Sequence, residues 1–249
     1  MMIAARNAFL MGGASTPTAR DYVQDGLIYH LDAAENIGYG EYSDSTLVWH
    51  NLKGDNDATI PSATPLTWSK MGCDFKGKTY GQYITIPAAA FPSTVRTVEW
   101  CGAYSNSDNY ARMINDSVST GMSTTYFGIG NNFRSGASGK VGIYLGTGGA
   151  TTQANFNINM PGPTIKFTVG FTMTGVADLR CILNGELISD TVYNDITAMP
   201  VFGVGATMPN KNTTRSCDIV CCGLRIYSRA LTAAEVAANC AIDAARFGL

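Results

Sequence analysis

Leu179-Arg180-Cys181-Ile182-Leu183-Asn184-Gly185-Glu186-Leu187-Ile188 is the stretch on which the reading of this chain turns. Two apolar-rich runs flank an Asn-Gly pair. A type I′ turn needs positive φ at both central residues, and Asn-Gly supplies them at little steric cost. The stretch therefore reads as a β-hairpin. Working outward, short apolar runs separated by turn residues recur over 26–31, 46–49, 83–86, 94–104, 124–129, 141–145, 156–158, 165–173, 201–204 and 217–227. Ten or more strands with regular turn signals predict an all-β, two-sheet antiparallel sandwich rather than βαβ units.

One helix is predicted, at the end of the chain. Thr232-Ala233-Ala234-Glu235 has capping-box spacing, with Thr232 as N-cap and Glu235 at N3. Val236, Ala237, Cys240, Ala241 and Ala244 then fall on one face at helical spacing. The Gly/Ser-rich stretches 130–140 and 146–155 read as loops, because strand signals resume on both sides. The 249 residues are therefore assigned as an N-terminal arm and linker over 1–20 and one sandwich domain over 21–249.

Composition narrows the function classes. With 45% hydrophobic residues the chain can bury a substantial core, which excludes disorder. Seventeen Lys plus Arg against 19 Asp plus Glu give no basic stripe, so no nucleic-acid footprint is expected. No apolar run reaches membrane-spanning length, so no membrane partner is expected. The seven cysteines show no CxxC or Cys-His cluster, and Cys101, Cys181, Cys217 and Cys221 lie in apolar, strand-like runs, so they read as reduced structural thiols of a protein folded in the cytoplasm. The arm carries Met1, Met2, Ile3, Phe9, Leu10 and Met11. Such residues are costly to leave in water. Ile3, Phe9, Leu10 and Met11 are the candidate anchor to a partner protein.

Four segments in order resemble the laminin-G-like branch of the concanavalin A-like lectin/glucanase superfamily. They are Asp25-Gly26-Leu27-Ile28-Tyr29-His30-Leu31-Asp32; Trp49-His50-Asn51-Leu52-Lys53-Gly54-Asp55-Asn56-Asp57-Ala58-Thr59; Phe75-Lys76-Gly77 with Tyr83-Ile84-Thr85-Ile86-Pro87; and Ile182-Leu183-Asn184-Gly185-Glu186-Leu187 with Gly223-Leu224-Arg225-Ile226-Tyr227-Ser228-Arg229-Ala230-Leu231-Thr232. Asn51 stands where the family pattern has Asp, and Ala58 where it has Gly. The resemblance implies a jelly roll. The tail Ile242-Asp243-Ala244-Ala245-Arg246-Phe247-Gly248 is similar to proteins of phages and prophages, where the module sits on virion structural proteins. That implies a lectin-like head or tail decoration or fibre subunit, assembled in the bacterial cytoplasm, repeated as a homo-oligomer and directed at host-surface or mucosal glycans. The alternative is a carbohydrate-binding or adhesion module on a bacterial surface.

A glycoside hydrolase is the enzyme alternative. It needs two carboxylates roughly 5–10 Å apart across the scissile bond. The five Glu, at 35, 41, 99, 186 and 235, include no two within four residues. Glu99 sits on a predicted strand without a same-face carboxylate at 101 or 103. His30 and His50 have no nucleophile elbow beside them. The chain is therefore expected to be non-enzymatic, with no catalytic residue and no resident cofactor. Asp55 and Asp57 form a hard-oxygen cluster that would suit calcium, although Asx-rich turns mostly bond their own backbone. For glycans the candidate loops are Tyr104-Ser105-Asn106-Ser107-Asp108-Asn109-Tyr110 and Tyr39-Gly40-Glu41-Tyr42, which set aromatics among amides and carboxylates. Tyr104, Asn106, Asp108, Asn109 and Tyr110 are the first choice.

Overall fold

The computed structural model describes residues 15–36, 38–63, 65–105, 112–116, 127–131, 139–146, 151–196, 202–203, 205–211 and 216–249. In chain order the first strands are β1 (Leu27–Asp32), β2 (Val48–Trp49), β3 (Ala58–Thr59), β4 (Thr67–Ser69), β5 (Gly72–Lys76) and β6 (Ile84–Ile86), with a one-turn helix α1 (Gly77–Tyr80). Next come β7 (Thr97–Tyr104), β8 (Arg112–Asp116), β9 (Phe127–Asn131), β10 (Lys140–Gly146), β11 (Thr151–Asn159) and β12 (Phe167–Met173). Then follow β13 (Leu179–Leu183), β14 (Glu186–Ile188), β15 (Thr191–Asn194), β16 (Ala206–Met208), β17 (Asp218–Tyr227) and the helix α2 (Ala233–Phe247). One sheet runs β14-β13-β12-β7-β17-β5-β4, with β1 also on β17; the other runs β15-β11-β10-β9-β8-β16-β6-β3-β2. The pairings are antiparallel, so the two-sheet sandwich expected from the sequence is the fold.

Alternation builds the layers. Val141, Ile143 and Leu145 of β10 enter the inter-sheet core, with Trp49, Phe75, Trp100, Phe156 and Phe167 among its largest members. Each such side chain contributes about 1.5–3 kcal/mol on burial. The hairpin forms as read: Asn184 and Gly185 have φ of 48° and 84°, and Leu183 pairs with Glu186. The stretch 146–155 is a loop only in part, because 151–155 belong to β11. Thr151 and Thr152 are β-branched and pair with Gly146 and Leu145, which overrides the Gly-rich composition around them. In place of the strand expected over 201–204, which lies partly outside the described residues, the region forms β16 two residues later.

Helix α2 carries the predicted capping box: the Thr232 side chain accepts from Glu235 N, and Glu235 Oε2 accepts from Thr232 N at 2.8 Å. Its buried face differs from the expected Ala stripe. Val236, Asn239, Asp243 and Phe247 point inward, and Ala237, Ala241 and Ala244 face solvent. Arg225 on the outer face of β17 sets this rotation. It donates to both Asp243 oxygens at 2.8 and 2.7 Å and to Glu99 Oε2 at 3.0 Å, all three residues being buried. A buried guanidinium needs carboxylates against it, so the helix turns its polar residues inward.

Replacing Asp243 by Ala is expected to cost about 3–5 kcal/mol in urea unfolding, since it leaves Arg225 buried with its main counter-charge gone. A loss below about 1 kcal/mol would show that the helix docks by its apolar residues alone.

Candidate functional site

The outer face of the eight-stranded sheet is largely occupied by α2. The Asp243 carboxylate also accepts from Tyr22 OH at 2.8 Å and Thr168 Oγ1 at 2.7 Å, and Asn239 Oδ1 accepts from Val23 N at 3.0 Å. Glu99, the strand glutamate considered for hydrolysis, lies under this helix. Its Oε2 accepts from Asn239 Nδ2 at 2.8 Å as well as from Arg225. Burial holds its carboxyl above the usual range while Arg225 pulls the other way. Burial likewise pushes up the thiols of Cys73, Cys101, Cys181 and Cys221. All seven cysteines are free, six of them buried, and a protonated, buried thiol is a poor nucleophile.

The outer face of the nine-stranded sheet is different. Cross-strand pairing aligns Thr85, Thr207, Asn115, Gly128, Tyr144 and Gln153 in one row over β6, β16, β8, β9, β10 and β11. A second row aligns Arg112, Gly130, Gly142 and Asn155. The inward neighbours of these residues are apolar, so strand alternation sends this polar set outward. Arg112 lies over the Tyr144 ring at 4.3 Å and donates to Asn115 Oδ1 at 2.5 Å. The glycines make room for these side chains: a Cβ on Gly142 would sit 3.1 Å from Tyr144 Oη and 3.2 Å from Asn155 Oδ1. The result is a polar trough with glycine backbone between its side chains, most of which are closed off from solvent.

Its burial is unusual for an outward face. Asn115, Tyr144, Gln153 and Asn155 are at most 1% exposed. Both polar atoms of the Asn155 amide, and Thr207 Oγ1, have no hydrogen-bond partner. Leaving a buried polar group unsatisfied costs about 1–3 kcal/mol.

The residues singled out in the sequence fall as follows. Tyr104 is a core residue: its ring stands edge-on to Phe167 at 6.1 Å and its hydroxyl donates to Pro161 O at 2.5 Å. β7 ends on it and leaves it 7% exposed, at a small cavity that Lys76, Lys166 and Asp218 also line. Asn106, Asp108, Asn109 and Tyr110 lie outside the described residues, as do the arm residues Ile3, Phe9, Leu10 and Met11. Tyr39 is exposed and stacks on His50 at 3.4 Å; Tyr42 stacks on Trp68 at 4.2 Å. His30 is packed edge-on to Tyr22, and burial drives its pKa down. The trough could not be read from sequence, because its members come from six strands and only their register brings them together.

Asp55 and Asp57 form a self-bonded turn. Asp57 Oδ2 meets His50 Nδ1 at 2.8 Å, and Asp57 Oδ1 accepts from Asn51 N at 2.8 Å. Asn51 Nδ2 donates to Asp55 O at 2.8 Å, and its Oδ1 accepts from His30 N at 2.9 Å and Lys53 N at 3.1 Å. Among the described residues no group of three or more His, Cys, Asp or Glu is placed to hold a metal ion. The amide donor on Asn51 has a use here that an ionised Asp could not serve, since a carboxylate cannot donate to the Asp55 carbonyl. Asn51→Asp is expected to destabilise the fold by about 1–3 kcal/mol at pH 7, by orphaning that carbonyl and setting a carboxylate beside Asp57. Thermal melts at pH 7 and pH 4 check this: the deficit should shrink at pH 4, as the new carboxyl protonates. An equal deficit at both pH values would rule out the charge component.

No family model matches the chain, and no curated protein does. Solved structures do. The chain is similar to Trypanosoma rangeli sialidase, with a TM-score of 0.58 and 14% identity over 92% of this chain and 33% of that one. It is similar to a chain of botulinum neurotoxin type C, which depends upon interaction with two ganglioside molecules to get into cells, with a TM-score of 0.60 and 14% identity over 88% and 51%. It is also similar to domain 4 of a GH43 extracellular arabinanase from Geobacillus stearothermophilus, in complex with arabinotriose, with a TM-score of 0.56 and 14% identity over 85% and 96%. The chain thus spans about a third of the sialidase and nearly all of the arabinanase domain. At such identity the likeness is one of fold, and it places the chain among two-sheet sandwiches of the jelly-roll type.

Proposed function

We propose that this chain is a non-enzymatic, lectin-like domain whose polar trough binds a glycan. The observation that carries the reading is the Asn155 amide, buried and without a partner on an outward sheet face whose side chains are hydroxyls, amides, a guanidinium and a tyrosine. A sugar presents adjacent hydroxyls that both donate and accept. That is the complement an unpaired amide requires. Pockets that recognise small ligands place a few fixed polar groups in this way. The arabinotriose-bound and ganglioside-dependent neighbours lend support as sandwiches of the same shape. The buried Glu99, bonded to Arg225 and Asn239, supports a binding rather than a hydrolytic role.

The setting we propose is a phage or prophage virion, with the domain decorating a head or tail as a homo-oligomer held through its N-terminal arm. The phage-like tail sequence and the free cysteines support it. A bacterial surface adhesion module is the alternative, and the same trough would serve it. Among the described residues no helix is long and apolar enough to cross a membrane.

The test is a glycan array on the intact chain, repeated with Asn155→Leu. Removing an unsatisfied amide should leave the melting temperature unchanged or higher, because the cost of that group disappears. Array binding should fall by about tenfold or more. A variant that melts lower yet keeps full binding would refute the trough as the site.

A further inference from the structure

The Tyr39–Tyr42 loop leads to a second place with the features of a ligand site. A cleft of about 230 Å³ opens between residues 33–36 and 40–42 and the β4 hairpin, lined by Asn36, Glu41, Tyr42, Trp68 and Lys70 among others. Its apolar wall is the half-buried, stacked pair Tyr42 and Trp68, whose ring planes are inclined by 15°. Trp49 stands edge-on behind Trp68 at 5.0 Å, and its own indole N–H is anchored on Asp32 O at 3.2 Å. The floor is held too: Asp32 Oδ1 accepts from Ala34 N, Glu35 N and Arg246 Nη2 at 2.9–3.0 Å. The aromatic wall is therefore set by the core before any ligand arrives, which lowers the ordering cost of binding.

Three polar atoms of lining residues are left open, one of them Tyr42 Oη. Trp68 Nε1, a donor, and Asn36 Oδ1, an acceptor, are buried with no partner. A buried indole N–H normally finds one. A single hydroxyl answers both, accepting from the indole and donating to the amide. The charges at the mouth, Glu41 and Lys70, are exposed and of opposite sign, so the cleft selects for neither a cation nor an anion. Its volume is below the roughly 300–1,000 Å³ of pockets for drug-sized ligands, which limits it to one ring.

We infer that this cleft is a second carbohydrate site, one that takes a single neutral pyranose at the end of a glycan. The inference rests on the glycan reading of the chain but uses different residues from the trough. Ring C–H faces lie against Tyr42 and Trp68, and one hydroxyl bridges Trp68 Nε1 and Asn36 Oδ1.

The experiment titrates the intact chain with the methyl glycosides of glucose, galactose, mannose and N-acetylglucosamine, followed by tryptophan fluorescence and calorimetry. At least one is expected to bind with a stoichiometry of one and to perturb the fluorescence. Asn36→Leu should weaken that binding about tenfold. Trp68→Phe keeps a ring and loses the N–H, and should weaken it similarly. Asn155→Leu should leave it unchanged. If none of the four binds the wild type while the array remains positive through Asn155, the cleft inference falls and the glycan reading stands. Binding that Asn155→Leu abolishes and Asn36→Leu spares also overturns the cleft. If neither array nor monosaccharides give binding, both readings fall together.

Discussion

Arg225 is a permanent cation with its side chain out of water, and the architecture on that side of the molecule follows from it. Its guanidinium is clamped by Asp243 from the helix and Glu99 from the neighbouring strand, and lies 4.2 Å over the Tyr22 ring. Sheet, C-terminal helix and the segment before β1 thus meet at one residue. Burial raises the Glu99 carboxyl while Arg225 pulls the other way. Such a cluster is weak evidence for net stability, because desolvation offsets most of the attraction. Its effect is on geometry: only one rotation of α2 brings Asn239 and Asp243 under the sheet. That rotation lays the helix against the eight-stranded sheet.

Local chemistry was legible in the sequence and long-range chemistry was not. Asn184-Gly185 and the Thr232/Glu235 box each form within a few residues, and they form as read. The buried face of α2 keeps Val236 of the expected stripe but not its alanines, because the Ala and Val pattern ignores a partner on β17. Asn239 and Asp243 look like surface residues until Arg225 is placed beneath them. The trough depends on register across strands up to 122 positions apart, from Thr85 to Thr207, and no window of sequence contains it. The cleft lies between these cases. Tyr39-Gly40-Glu41-Tyr42 could be named as a loop of aromatics beside a carboxylate. Trp68 was passed over, although Thr67-Trp68-Ser69 alternates before Met71-Gly72 and so carries a strand-and-turn signal.

Asn51 shows how a polar residue in an Asx-rich turn can be structural rather than functional. It bonds the turn from both ends of its amide, and Asp57 caps Asn51 N and pairs with His50. The hard-oxygen cluster at 55–57 is thereby committed to its own backbone, and the neighbouring Tyr39 uses the resulting His50 plane as a stacking surface.

Buried polar groups occur on both sides of the sandwich, and their bonding separates structure from function. Asp243 accepts four hydrogen bonds from four donor atoms on three residues. Nothing more can be added there, so the group fixes a shape. Glu99 Oε1 is partnerless, but it lies beneath α2 and the other oxygen of that carboxyl is bonded to Arg225 and Asn239. Neither atom of the Asn155 amide is bonded, and Asn36 Oδ1 and Trp68 Nε1 are partnerless too. A fold selected for stability alone would replace them with Leu or Phe of similar volume, because well-packed apolar side chains remove the desolvation cost. Their presence at a trough and a cleft, beside aromatic rings and with polar atoms left unbonded, is the physical ground for reading both places as sites that a hydroxyl-rich ligand completes.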